Sequence, residues 1–126
     1  MTSEETIKQA THLFFAGNEE QAFALLIPLL IEGDNIAKAN LGFLFSQYYK
    51  KDKYSKLTEG AQLLSEACDE GEATACHNLA GLWLGNEPTL GKDLKKAAYF
   101  YLRARELGGP LSDEAFYATW ENELYN

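Results

Sequence analysis

Histidine and cysteine occur only twice each in this chain, and proline three times. With so few, the common catalytic signatures have little to be built from. There is no glycine-rich phosphate loop, no H-E-x-x-H and no G-x-S-x-G. Neither His12 nor His77 has an evident nucleophile beside it in sequence, and no carboxylate sits inside an apolar run that would raise its pKa. Cys68, Cys76, His12 and His77 form no ligand pair with zinc-finger spacing. The sequence therefore predicts no enzyme, no cofactor and no metal site.

Long apolar runs are also missing. The longest, Ala22 to Ile31, is about ten residues and contains Pro28, which reads as a core helix rather than a membrane span. The N-terminal Met1-Thr2-Ser3-Glu4-Glu5 is acidic and polar, without the basic and apolar regions of a signal peptide. A cytoplasmic location with no membrane contact is the expectation.

Basic residues are scarce: 11 Lys and Arg against 19 Asp and Glu, a net charge of -8. Binding nucleic acid requires phosphate neutralisation, so no nucleic-acid partner is expected. A basic protein partner suits such a chain instead. The charge is unevenly placed. Residues 50–56 and 92–96 hold Lys50, Lys51, Lys53, Lys56, Lys92, Lys95 and Lys96 against Asp52 and Asp93, a local +5, and the rest of the chain is at -13. A small basic edge sits on an acidic body.

What is abundant is Ala, Leu, Glu and Lys, a helix-favouring mixture, with 46% apolar residues in 126, enough for one packed domain. An internal repeat organises it. At an offset of 38, Gly33 meets Gly71, Ala37 meets Ala75, Asn40 meets Asn78, Leu41 meets Leu79, Gly42 meets Ala80 and Phe45 meets Trp83. A second set recurs at offsets of 38 and then 37: Ala22, Gly60 and Ala97; Leu29, Ala67 and Ala104; Gly33, Gly71 and Gly108. Small residues let helix backbones approach, and large ones fill the space beside them. Glycine after the second helix supplies a left-handed terminating residue, with Asp34 and Glu72 at the following helix starts, where the helix dipole favours them.

The prediction is all-α. Helix pairs are expected at 3–16 and 19–32, at 34–49 and 56–70 around a polar loop Lys50 to Ser55, and at 72–84 and 93–107 around a loop at 85–91. The three units span about 3–33, 34–71 and 72–109, and a cap helix covers 111–124. Pro28 predicts a kink in the second helix. One helical hairpin cannot bury its own apolar face, so units must stack into a right-handed α/α solenoid.

Ala37 to Phe45 and Gly91 to Gly108, the latter reading G-K-D-L-K-K-A-A-Y-F-Y-L-R-A-R-E-L-G, resemble the Sel1-like repeat family, relatives of tetratricopeptide repeats. The resemblance covers 33–109. The first unit, with its two-residue Gly17-Asn18 turn, is closer to a plain tetratricopeptide hairpin, and the loop of the second unit lacks the family's glycines. The resemblance implies protein–protein binding. The family includes adaptors, immunity proteins that neutralise toxins exchanged between bacteria, and secreted cysteine-rich proteins with weak penicillin-binding activity.

Cys68 and Cys76 flank the Gly71 turn, and antiparallel helices there can bring their Cα atoms to about 5.5 Å, disulfide distance. Cysteine-rich relatives pair cysteines at similar spacing. The pair reads equally as two small apolar residues at a helix contact in a reducing cytosol.

By position in the unit, Asn40, Phe43 and Gln47, with Ile36, face the inner groove from one helix. His77, Asn78 and Gly81, with Thr74, face it from the next. In tetratricopeptide relatives an asparagine before the conserved Leu holds a bound peptide backbone, which the resemblance carries to Asn40 and Asn78. The alternative is that both bridge or cap neighbouring helices. Tyr48 and Tyr49 stand beside the basic loop as candidate interface anchors, since adjacent helical residues cannot both face the core. Phe116, Tyr117 and Trp120 are expected to close the end of the core.

Three functions follow as expectations. The first is an immunity protein that binds a basic toxin or effector domain and is monomeric alone. The second is a peptide-binding adaptor. The third is a secreted cysteine-rich penicillin-binding protein.

Overall fold

The computed structural model describes residues 1–47, 49–86 and 90–126, with the backbone alone for 49–56. Among the described residues the chain is all-helical: α1 (Ser3–Phe15), α2 (Glu19–Ile31), α3 (Asn35–Gln47), α4 (Tyr49–Asp69), α5 (Ala73–Gly81), α6 (Leu94–Glu106) and α7 (Glu114–Tyr125). Each helix packs on its neighbour in sequence, and α3 also touches α1 and α5.

The repeated residues do the same work in each unit. Gly33, Gly71 and Gly108 have φ of 86°, 98° and 84°, the left-handed region that glycine enters without steric cost. The next residue's N–H reaches back to the third-last position of each helix: Asp34 to the Leu29 carbonyl at 3.0 Å, Glu72 to Ala67 at 2.9 Å and Gly109 to Ala104 at 2.8 Å. These acceptors are the same Leu29, Ala67 and Ala104 that align in the repeat. The bonds satisfy carbonyls that a helix end leaves free. Helix starts are closed by side chains. The Asp34 carboxylate accepts from the Ala37 N–H at 2.9 Å, Asp93 from Lys96 at 3.1 Å and Asp113 from Ala115 and Phe116. Glu72 makes no such bond; there the sequence position repeats and the cap does not.

Three buried clusters line up along the chain. Phe14, Phe23, Leu26, Leu41, Leu44 and Phe45 join α1, α2 and α3. Leu57, Leu64, Cys68, Cys76 and Leu79 join α4 and α5, with Ala39 and Ala104 from their neighbours. Ala80, Ala97 and Tyr101 carry Trp83, Phe116 and Trp120 at the α7 end. A fully buried leucine such as Leu64 stabilises the fold by about 2–3 kcal/mol relative to leaving it in water.

Three expectations are corrected. The segment Lys50 to Ser55 is not a loop: α4 begins at Tyr49 and runs through it. The stretch is polar but holds no glycine or proline, so nothing in its backbone chemistry stops a helix. Helix α5 ends at Gly81 rather than 84, and Leu82, Trp83 and Leu84 turn on N–H bonds to the carbonyls three residues back. Helix α2 runs through Pro28, whose ring lies on the exposed face. The cap helix starts three residues later than expected, at Glu114, where Asp113 closes its first turn.

Helix α7 docks through polar and aromatic contacts together. Arg105 pairs with Glu121, and this hydrogen bond is the main cause that raises the Arg105 pKa. The Lys95 ammonium donates to the Glu123 and Leu124 carbonyls at 3.1 and 3.4 Å, a cation at a helix C-terminus. Trp120 stacks 4.9 Å from Tyr101.

Candidate functional site

The odd-numbered helices present two adjoining clefts. One lies between α3 and α5 and brings Asn40, Phe43 and Asn78 together beside Ile36, Glu72 and Thr74, in about 110 Å³. The other lies between α1 and α3, about 390 Å³, and is lined by Glu4, Ile7, Lys8, Asp34 and again Ile36. Ile36 is 55% exposed and stands at the junction. Ile7, Ile36 and Phe43 make an apolar floor, and Glu4, Asp34 and Glu72 make an acidic rim. Lys8, the one cation of this lining, lies 3.8 Å from Glu4. Apolar floor and acidic rim together suit a partner segment with an apolar anchor and basic neighbours.

The two asparagines differ. The Asn40 amide donates to the Ile36 carbonyl one turn back in its own helix, at 2.8 Å, a local bond that competes with any ligand for the same donor. Asn78 is half-buried in the same cleft.

His77 does not face this cleft. Its ring lies edge-on to Tyr101, 5.0 Å between centroids, and 6.0 Å from Phe116 of α7. Burial lowers its pKa and raises that of Tyr101, and its Nδ1 is buried with no hydrogen-bond partner among the described residues. Gly81 follows the same side: a Cβ there would meet the Tyr101 hydroxyl at 3.8 Å. The α7 cap occupies the surface that unit position alone assigned to an open groove. Gln47 is exposed at the end of α3 and donates to the Ser46 hydroxyl at 3.3 Å. Tyr48 and the Tyr49 side chain lie outside the described residues.

The Cys68 and Cys76 sulfurs are joined, with Cα atoms 4.7 Å apart across the Gly71 turn. Among the described residues no group of three His, Cys, Asp or Glu side chains could hold one metal ion. No helix among them is long and apolar enough to cross a membrane.

Sequence reasoning missed the share of α1. Ile7 and Glu4 line the larger cleft, yet the first unit shows its repeat only in the second helix, so no alignment pointed to them. Neither a protein-family model, nor a curated protein, nor a solved structure matches the chain.

Proposed function

We propose that this chain is a non-catalytic protein-interaction module of the Sel1-like kind, an α/α solenoid of three hairpins closed by α7, and that it acts as an immunity protein against a basic toxin or effector domain. The observation that carries the reading is the acidic-rimmed apolar cleft on α1, α3 and α5, set in a chain of net charge -8. Acidic surface speeds the approach of a basic partner, and Ile7, Ile36 and Phe43 supply the desolvated contact that holds it. The helix-ending glycines and the small residues at helix crossings support the solenoid, because they recur at the same place in each unit.

Neutralisation by occlusion requires surface and no chemistry of its own. Both histidines fit that role: His12 is exposed, and His77 is enclosed among aromatic rings. The module is proposed to act in the cytoplasm, and the thiol state of Cys68 and Cys76 tests that placement.

The deciding experiment is co-expression with the product of the adjacent gene. Co-purification of the two proteins, with rescue of growth, is the expected result. Failure to rescue cells from any adjacent toxic product overturns the immunity reading. The adaptor reading then takes its place, favoured by the cleft that Asn78 and Phe43 share, and is tested by binding of extended basic peptides.

A further inference from the structure

The even-numbered helices carry a second, larger groove of about 720 Å³ between α4 and α6. It shares no residue with the cleft on α1, α3 and α5. Its floor is apolar: Ala61 from α4, Leu79 from α5, Trp83 and Leu90 from the segment after α5, and Phe100 from α6. Tyr99 stands at its edge, 55% exposed.

Its charge is opposite to that of the other cleft. Lys96 is exposed, with its ammonium 4.3 Å from the centroid of the Trp83 ring, and it forms no ion pair with a described carboxylate. Asp93, the one acid in the lining, already accepts the Lys96 N–H as the cap of α6. Lys95, also in the lining, adds a second positive charge, its ammonium held on the Glu123 and Leu124 carbonyls. A third feature is polar. The Trp83 Nε1–H is buried and finds no acceptor among the described residues, a donor that costs free energy until it is satisfied.

We propose that this groove docks an acidic segment of a partner protein that carries a large apolar side chain. The apolar side chain lies on Trp83, Leu90 and Phe100, where burial supplies the affinity. The carboxylates lie at Lys96, and set charge preference and approach rate. A carbonyl or carboxylate oxygen of the segment satisfies the Trp83 donor. The occupant is a short segment rather than a whole acidic domain, because the rest of this chain is at -13. Like charges on a domain would repel it, whereas a segment within a Debye length of about 8–10 Å is governed by Lys95 and Lys96. This proposal is independent of the immunity reading, since the two surfaces share no residue, and either can fail alone.

The test is selection from a random peptide display library on the full chain, with counter-selection on Ser65→Trp, which fills the groove, and on Lys96→Glu, which reverses its exposed charge. Circular dichroism checks that both variants fold. Should Ser65→Trp lose its helicity, Lys96→Glu and Tyr99→Glu, both at exposed positions, carry the comparison. Selected peptides are expected to be rich in Asp and Glu around an aromatic or large aliphatic residue. Lys96→Glu is expected to weaken them roughly tenfold, equivalent to about 1.4 kcal/mol. Fluorescence of Trp83 in a Trp120→Phe background is expected to change on binding. Enrichment of basic or uncharged peptides, or of none that depends on the groove, overturns the proposal. Sedimentation that shows self-association abolished by Lys96→Glu also overturns it, because the occupant is then a second copy of this chain.

Discussion

Gly42 and Gly60 bring the backbones of α3 and α4 into direct contact. A Cβ on Gly60 would stand 2.5 Å from the Gly42 carbonyl oxygen and 2.7 Å from the Ser46 nitrogen. Gly42 in turn faces Leu63 and Leu64, so moving back along α3 moves forward along α4, and the pair is antiparallel. The repeat places alanine at the equivalent of each of these positions in other units, where the helices stand far enough apart to admit a methyl group.

Gly60→Ala is therefore expected to destabilise the fold, against its local preference. Alanine is the better helix former by about 1 kcal/mol, yet forcing a methyl group against rigid backbone costs about 1–3 kcal/mol. Gly42→Ala meets its nearest backbone atom at 3.0 Å and is expected to cost less. Urea denaturation of the two variants checks the order. A Gly60→Ala midpoint at or above that of the parent chain would refute so close a contact.

These glycines also show how much of the fold the sequence discloses. Helix ends were legible wherever a residue type has a backbone cause: Gly33, Gly71 and Gly108 each stop a helix by adopting positive φ. The boundary between α3 and α4 was not legible, because Lys50 to Ser55 is polar without being helix-breaking. In the candidate site, Asn40, Phe43 and Asn78 share repeat positions on the odd-numbered helices and line one cleft. His77 lies outside that cleft. Its surroundings are set by Phe116, far along the chain, and no local pattern encodes a partner at that separation.

The enclosure of His77 predicts a pH effect. Burial lowers its pKa below the ordinary histidine value of 6.5. As pH falls through 6.5, the unfolded chain takes up a proton that the folded chain does not. Stability is then complete above the unfolded value and declines as pH falls toward the depressed folded value. His77→Phe keeps an aromatic ring against Tyr101 and removes the titration. Melting temperatures between about pH 7.5 and 5.5 are expected to fall more steeply for the parent chain than for His77→Phe. Parallel slopes would exclude His77 as the source.

The Cys68–Cys76 bond closes a short loop, at a sequence separation of 8. Constraint of the unfolded chain over a loop of that length contributes roughly 2–3 kcal/mol. Cys68→Ala with Cys76→Ala is expected to lower stability by about that much in oxidising buffer and to match the parent chain in reductant. Intact mass of the protein drawn from its own cells, with thiols trapped at lysis, reads the compartment. Two free thiols agree with a cytoplasmic module, and a mass lower by two hydrogens places it in an oxidising space.

Ile36 separates binding from folding. It is 55% exposed and lines both clefts on α1, α3 and α5, so Ile36→Lys removes the apolar junction and adds a like charge against a basic partner. An exposed helical position tolerates this change within about 0.5 kcal/mol, and the thermal midpoint is expected to stay near that of the parent chain. Rescue of growth against the adjacent gene product is expected to be lost. Asn40→Ala supplies the contrast. Its amide is already engaged with the Ile36 carbonyl, so rescue is expected to persist. If Asn40→Ala abolishes rescue while Ile36→Lys preserves it, recognition runs through the amide, as for an extended peptide backbone, and the apolar junction is not the anchor.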